Sequence, residues 1–464
     1  MIQNHWARLP APARALLTAA ALLLGAVALT FAMHNQDTYR TGTWDETSQS
    51  LVFGRILQIQ NHQSAPGGFL GNYLVEGRDP QQDRYLFREN APVRPEEYQP
   101  YTHQSGLQGL AFGWLNKVYS LINQGGEARE RMLYATNSIL LYLASLCLAA
   151  AAGRVFGPTA GLGFAAAVLC APWVQRGMKN LYWSLWTWWL PALAGLLVWQ
   201  LARRRGRVPG WGYGLVFGAV GLRCLCGFEF ISDFLILCEA ALFAVWVDAL
   251  VRRAPARPWF FRMVYTGFAA VGGFAAALGV WFAQNVAYFG DAGEAWRSIL
   301  EAATRHSLGG DASIPAVIGL YLTSADPVLQ LGPVALPPLA LIALGAAGLA
   351  LMALGQKFGL RPAGSLPALA ALWCLGLLAP LSWMVLAKMH CQIHTHLVPI
   401  LWNFALAPAT LTVLGALVWQ LARGLQRPGK KIPAGKDPAG QTVEKAVGRG
   451  IRRCPGPAWR RPPW

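Results

Sequence analysis

Charge is scarce in this chain. Of its 464 residues only 13% are Asp, Glu, Lys or Arg, while 54% are hydrophobic. A soluble globular domain carries about a quarter charged residues, so the composition excludes that class and indicates a polytopic membrane protein. Acid is scarcer than base: 22 Asp and Glu stand against 39 Lys and Arg, a net charge of +17. The cations gather in short loops and in the C-terminal tail, so orientation in a bilayer accounts for them and no nucleic-acid partner is expected. Cysteine supplies no disulfide framework. Cys147, Cys170, Cys238 and Cys374 fall inside apolar runs and Cys454 in the tail, leaving only Cys224, Cys226 and Cys391 near a polar boundary; they read mostly as small apolar fillers. There is also no Walker A loop, no Gly-x-Gly-x-x-Gly in a βαβ setting, no Gly-x-Ser-x-Gly elbow and no usable internal repeat. Those absences disfavour a cytoplasmic reaction driven by a nucleotide.

What the chain has is apolar length. Crossing a hydrocarbon core of ~30 Å takes about 17–25 residues, and ten runs qualify: 13–33, 134–153, 157–174, 181–201, 209–226, 229–250, 262–286, 333–354, 365–387 and 398–421. The third and fifth are the weakest, being short or interrupted by Pro172 and Arg223. The first reads as an uncleaved anchor, because the small-x-small Ala26-Val27-Ala28 lies too deep in the run for a cleavage site. Twenty tryptophans suit the same class, since indole rings favour the membrane interface.

With a cytoplasmic N-terminus every inside segment is basic. These segments carry Arg8 and Arg14; Arg154; Arg203, Arg204, Arg205 and Arg207; Arg252, Arg253 and Arg257; Lys357 and Arg361; and the tail with Lys430, Lys431, Arg452, Arg453, Arg460 and Arg461. The expected architecture is an all-α polytopic membrane protein of about ten transmembrane helices, with both termini cytoplasmic. It comprises the N-terminus and first span (1–33), a large first extracytoplasmic loop carrying interfacial helices (34–133), spans two to seven (134–287), a second outer loop (288–332), spans eight to ten (333–421), and a basic, disordered cytoplasmic tail (422–464) near anionic lipid.

The polar residues of unusual type fall on the outer face. Trp44-Asp45-Glu46 lies about a dozen residues beyond the first span, and an acidic pair kept that close to hydrocarbon is costly unless something binds or uses it. The following stretch, with Leu51, Phe53, Ile56, Leu57 and Ile59, reads as an amphipathic helix along the interface. Asp45 and Glu46 then have two compatible roles. Asp45 or Thr43 caps that helix while Glu46 favours its dipole, or the acidic pair acts as a general base or as ligands to a divalent cation such as Mg or Mn. Arg176 and Lys179, with Tyr182 and Trp183 beside them, stand at an outer helix start and suit a phosphate, or else form an interfacial belt. Arg223 sits near membrane depth, where Glu229 or Asp233 is the candidate ion-pair partner and a structural pair is about as well supported as a substrate contact. His390, His394 and His396 share one turn and read as structural, substrate-binding or metal-ligating. Arg305 and His306 lie in the second outer loop on a charged helix face, which is more often merely solvated.

This plan resembles the GT-C glycosyltransferases, polytopic enzymes that include protein O-mannosyltransferases, the aminoarabinose transferases of lipid A and oligosaccharyltransferases. The resemblance rests on Trp44-Asp45-Glu46 closely following a first span and leading into an interfacial helix, and it covers roughly residues 1–330. It implies a bacterial inner-membrane enzyme working on its extracytoplasmic face. A sugar would pass from a polyprenyl-phosphate donor, with inversion, to a glycan, lipid or protein acceptor. Asp45 would be the catalytic base, Glu46 would assist it or bind metal, and Arg176 and Lys179 would face the lipid phosphate. The chain departs from several members in having no second acid near 175–180 and no large C-terminal soluble domain. Two other readings compete: an O-antigen or polysaccharide polymerase or ligase using polyprenyl-diphosphate donors, centred on Arg297, Arg305 and His306, and a lipid-linked sugar transporter or flippase.

Overall fold

The computed structural model describes residues 10–34, 45–64, 66–73, 79, 81–307, 313–360 and 364–425. Thr43, Trp44, Asp311 and the tail beyond Leu425 lie outside the described residues, as do the side chains of Arg305, His306 and His396.

A 24-residue apolar helix, α1 (Ala11–His34), opens the chain, followed by α2 (Glu46–Gln60). Then come β1 (Leu70–Tyr73), α3 (Gln82–Arg88), β2 (Tyr98–Tyr101) and α4 (Leu107–Ser120). The bundle proper begins with α5 (Gly126–Phe156), α6 (Pro158–Leu169) and the short α7 (Pro172–Gly177). It continues through α8 (Trp186–Arg205), α9 (Gly210–Cys226), α10 (Ile231–Val251) and α11 (Arg257–Phe289). After α12 (Ala292–Ser307), α13 (Ile314–Thr323) and the hairpin β3 (Leu329–Leu331) with β4 (Val334–Leu336), the chain closes with α14 (Pro338–Lys357), α15 (Leu366–Leu386), α16 (Lys388–Ile393) and α17 (Val398–Leu425).

Among the described residues seven helices are long and apolar enough to cross a membrane: α1, α5, α10, α11, α14, α15 and α17. The chain is therefore a multi-pass, predominantly helical membrane protein. Helices also stand at the other three expected runs, but α6 is only 12 residues long, α9 is 17, and α8 begins at Trp186. The third and fourth runs differ from expectation because the backbone between them leaves the helix. Side chains and a hairpin satisfy it instead, as backbone at membrane depth requires. Gln330 N–H donates to the Cys170 carbonyl at 2.7 Å. Asn137 donates to the carbonyls of Met178 (2.9 Å) and Asn180 (3.2 Å), and the Leu181 N–H is taken by Gln49 Oε1 at 3.0 Å.

The segment 45–120 folds as a small cap on one end of the bundle. Helix α2 was expected to lie along the interface, yet Ser50, Val52, Phe53, Ile56, Leu57 and Gln58 are all buried in it, so it is the core of this cap. Buried Asp83 ties the parts together, accepting from Ser50 Oγ (3.2 Å) on α2 and from the Tyr73 N–H (3.2 Å) on β1. The exposed apolar residues belong to α4 instead: Leu110, Trp114 and Val118, with Leu121 and Ile122 just beyond, form one stripe. Helix α5, 31 residues and so about 46 Å long, outruns the hydrocarbon thickness. Its first turn enters the cap, where Glu130 pairs with Arg84 and Arg88.

Helix α2 presses on β1 at Gly54, where a Cβ would stand 2.1 Å from the Gly71 carbonyl oxygen and 2.9 Å from Asp83 Oδ2. Gly54→Ala therefore has to push α2 off the strand. A loss of about 1–3 kcal/mol is expected from such overpacking, read as a lower melting temperature of the purified protein.

Candidate active site

Asp45 occupies the N-cap of α2 in the left-handed region, at φ 51° and ψ 55°, and its Oδ1 accepts from the Ser48 N–H at 3.3 Å. The cap role read from the sequence is thus present, and a second contact accompanies it. Asp45 Oδ2 accepts from the indole N–H of Trp183 at 2.7 Å. Trp183 sits in the turn before α8, where Asn180 Oδ1 accepts the backbone N–H groups of Tyr182 (2.9 Å) and Trp183 (3.1 Å). Its neighbour Ser184 is also left-handed, at φ 41°. A third left-handed residue, Phe230 (φ 60°), stacks its ring on Trp183 at 5.8 Å. Such conformations cost non-glycine residues about 1–3 kcal/mol each and gather where a fold holds a functional group in place.

A second carboxylate enters from the corner between α9 and α10. Glu229 accepts from the Tyr182 hydroxyl at 3.1 Å. Burial, then the charges of Glu229, Tyr101 and Asp45, raise the Tyr182 phenol well above its ordinary pKa, so it stays protonated and donates. Arg223 is the ion-pair partner of Glu229, at 3.9 Å from its Oε2, and also donates to the Glu229 carbonyl at 2.9 Å. Its guanidinium is buried between the rings of Trp188 (5.1 Å) and Phe234 (5.2 Å). Gly227 makes the corner possible: it adopts φ +155°, and a Cβ there would stand 2.2 Å from Glu229 Oε2.

The His390–His396 turn completes one wall. His390 is buried, with its ring 5.6 Å from those of Phe230 and Trp383 and 4.8 Å from that of His394. His394 lies within electrostatic reach of both Asp45 and Glu229; burial lowers its pKa against the pull of those two carboxylates, leaving a neutral imidazole. Gln108, in the first turn of α4, donates to the Tyr182 carbonyl at 3.2 Å. Beneath everything lies an aromatic floor, in which Trp188 meets Phe230 at 4.9 Å and Phe404 at 5.1 Å.

The structure thus brings together Asp45, Tyr182, Arg223, Glu229, His390 and His394. It turns Glu46 elsewhere, toward Arg84 at 3.8 Å. Burial pushes the Glu46 carboxyl above its usual range, with Arg84 opposing. Arg176 is exposed over the ring of Trp173 at 5.3 Å, and Lys179 is half-buried in the turn leading to Asn180. Trp183 is the participant that sequence reasoning treated only as an interfacial ring, and nothing local to it signals its contact with Asp45.

Each Asp45 oxygen accepts one N–H group, and Glu46 lies 3.8 Å from Arg84 with its Oε1 buried and making no hydrogen bond. Among the described residues no three His, Cys, Asp or Glu side chains are gathered as a ligand set.

The His394 environment gives a pH signature. An imidazole whose folded pKa lies below its ordinary value of about 6.5 binds fewer protons folded than unfolded. Its contribution is fully present above that value and is lost as pH falls from there toward the lowered native pKa. Wild type should lose stability between about pH 7 and 5 more steeply than His394→Gln, as measured by thermal melts across that range.

No family model, no curated protein and no solved structure matches the chain.

Proposed function

We propose that the protein is an integral membrane glycosyltransferase moving a sugar from a polyprenyl-phosphate donor to a hydroxyl of an extracytoplasmic glycan, lipid or protein. The observation that carries this reading is a carboxylate, Asp45, fixed in a strained cap by the Trp183 N–H, with Glu229 and neutral His394 beside it at one end of a membrane bundle. The opposite ends of the same helices carry Arg154, Arg203, Arg204, Arg205, Arg252 and Arg253. By the positive-inside rule, this basic end supports a cytoplasmic position for itself and an extracytoplasmic one for the site.

In this mechanism Asp45 takes the proton of the acceptor hydroxyl as its oxygen attacks the anomeric carbon. The bond from that carbon to the phosphate oxygen breaks on the opposite face of the sugar, which inverts the centre. The polyprenyl phosphate leaves as an anion that Lys179 and Arg176 would meet from the membrane surface. Tyr182 and Arg223 hold Glu229 in place, where it orients sugar hydroxyls.

General-base catalysis is worth about 10²–10⁴-fold. In proteoliposomes supplied with a lipid-linked labelled sugar, Asp45→Asn should lower transfer by that factor, whereas Glu46→Gln should keep most of it. Full transfer by a correctly inserted Asp45→Asn protein would sink the proposal. Chelation should leave the wild-type rate unchanged; a loss restored by Mg or Mn would return the acidic pair to a metal role.

One observation favours a second reading, a lipid-linked sugar flippase. The carboxylate oxygens of Asp233 and Glu239 are buried within α10 and make no hydrogen bond, as ionisable residues on a transport path often do. Movement of the lipid-linked sugar across the bilayer without glycosidic bond formation, lost in Asp233→Asn and kept in Asp45→Asn, would establish it.

A further inference from the structure

The far half of the bundle forms a half-open cavity of about 430 Å³ lined by α5, α6, α8, α10, α15 and α17. It is separate from the candidate active site: Trp189 and Phe404, stacked at 4.2 Å, close its upper end beneath the aromatic floor. Its walls are apolar, with Leu148, Phe164, Leu237, Ala241 and Leu372 among them. Its lower end is charged, with Arg203 at the end of α8 and Asp248 and Arg252 at the end of α10. From Trp189 to Arg203 the cavity follows α8 for about 21 Å at 1.5 Å per residue. That exceeds a single leaflet of about 15 Å, half the hydrocarbon core.

Water does not fill such a space well. An apolar cavity of about 150 Å³ stays dry and takes up hydrocarbon instead, and this one is nearly three times larger. A void of that size forfeits dispersion contacts along its whole lining, so an apolar occupant stabilises the bundle. The lower rim selects which occupant. Arg203 lies over the Trp199 ring at 5.6 Å, so its guanidinium is held at the mouth. Buried Asp248 is satisfied by Arg252 (2.7 Å) and Ser365, and so presents no unpaired negative charge to a ligand. Exposed Arg204 and Arg205 follow Arg203 in the chain, and exposed Arg253 follows Arg252. A basic mouth between helices at this level is suited to an anionic lipid headgroup.

We infer that this cavity is a binding site for an anionic glycerophospholipid, with one acyl chain inside and the phosphate at Arg203. The inference uses the orientation given above but not the reaction. The bound chain supports the floor of Trp189 and Phe404, on which Trp188 and so the site rests.

The test uses the full-length protein in detergent with phosphatidylglycerol carrying a photoactivatable diazirine in one acyl chain, with labelled peptides mapped by mass spectrometry. The expected labels fall on the cavity faces of α8, α10 and α17, about tenfold above a matched phosphatidylcholine probe. Arg203→Gln should erase that preference, and Ala241→Phe should remove the cavity labels while outer-surface labelling persists. Labels confined to the outer surface, equal labelling by the two lipids, or cavity labels undiminished in a folded Ala241→Phe protein would each overturn the inference. Displacement by excess polyprenyl phosphate, but not by unlabelled phosphatidylglycerol, would overturn the choice of occupant. If Ala241→Phe fails to fold, the Arg203→Gln and competition measurements decide.

Discussion

The bond from the Trp183 indole to Asp45 is the joint on which the candidate site depends. It spans 138 residues of sequence and fastens the cap built on α2 to the turn that starts α8. Gln49 makes the same crossing one turn along α2, accepting the Leu181 N–H and donating to Tyr134 at 3.1 Å. Together these contacts stop Asp45 from relaxing out of its left-handed conformation. A hydrogen bond to a charged group is worth about 1.5–3 kcal/mol, comparable to the cost of one strained residue. The strain at Asp45 is therefore sustained by its own acceptor role. On the other side of Trp183, left-handed Ser184 donates its hydroxyl to the Leu181 carbonyl and accepts from Thr187, while Phe230 combines ring stacking with a carbonyl that accepts the Asp233 N–H.

Two carboxylates close together near hydrocarbon would repel unless each found a partner. The fold separates their partners by element: Asp45 is served by N–H dipoles from α2 and the 180–185 turn, and Glu229 by Tyr182 and a buried guanidinium. Arg223 is the most committed of these groups. Its guanidinium is buried, whereas Glu229, like Lys179 and His394, is half-buried.

The membrane class, the basic end of the bundle and the N-cap role of Asp45 were legible in the sequence, because apolar length, arginine placement and an acid just before an apolar periodic run are local properties. The limits of α6 and α8 were not, since Asn137, Gln49 and Gln330 set them from distant parts of the chain. The alternation in residues 51–59 marked a helix correctly but suggested an interfacial one. Both of its faces are covered by α3, α4 and β1, so the apolar side that implied lipid is met by protein. Glu229 and His394 were each readable as polar residues near the outer boundary. Their convergence on Asp45 was not, because no spacing rule connects three separate loops.

The apolar stripe on α4 has a mechanical corollary. Were exposed Leu110, Trp114 and Val118 immersed in lipid, a cap also pinned to the long helix α5 through Glu130 would have two height references, one in the bilayer and one in the protein. When the hydrocarbon thickness changed, the two would disagree. The cap would then have to tilt about the Trp183 joint or drag the surrounding lipid with it. The carboxylates ride on that pivot, so bilayer thickness would become a coordinate of the site's own geometry.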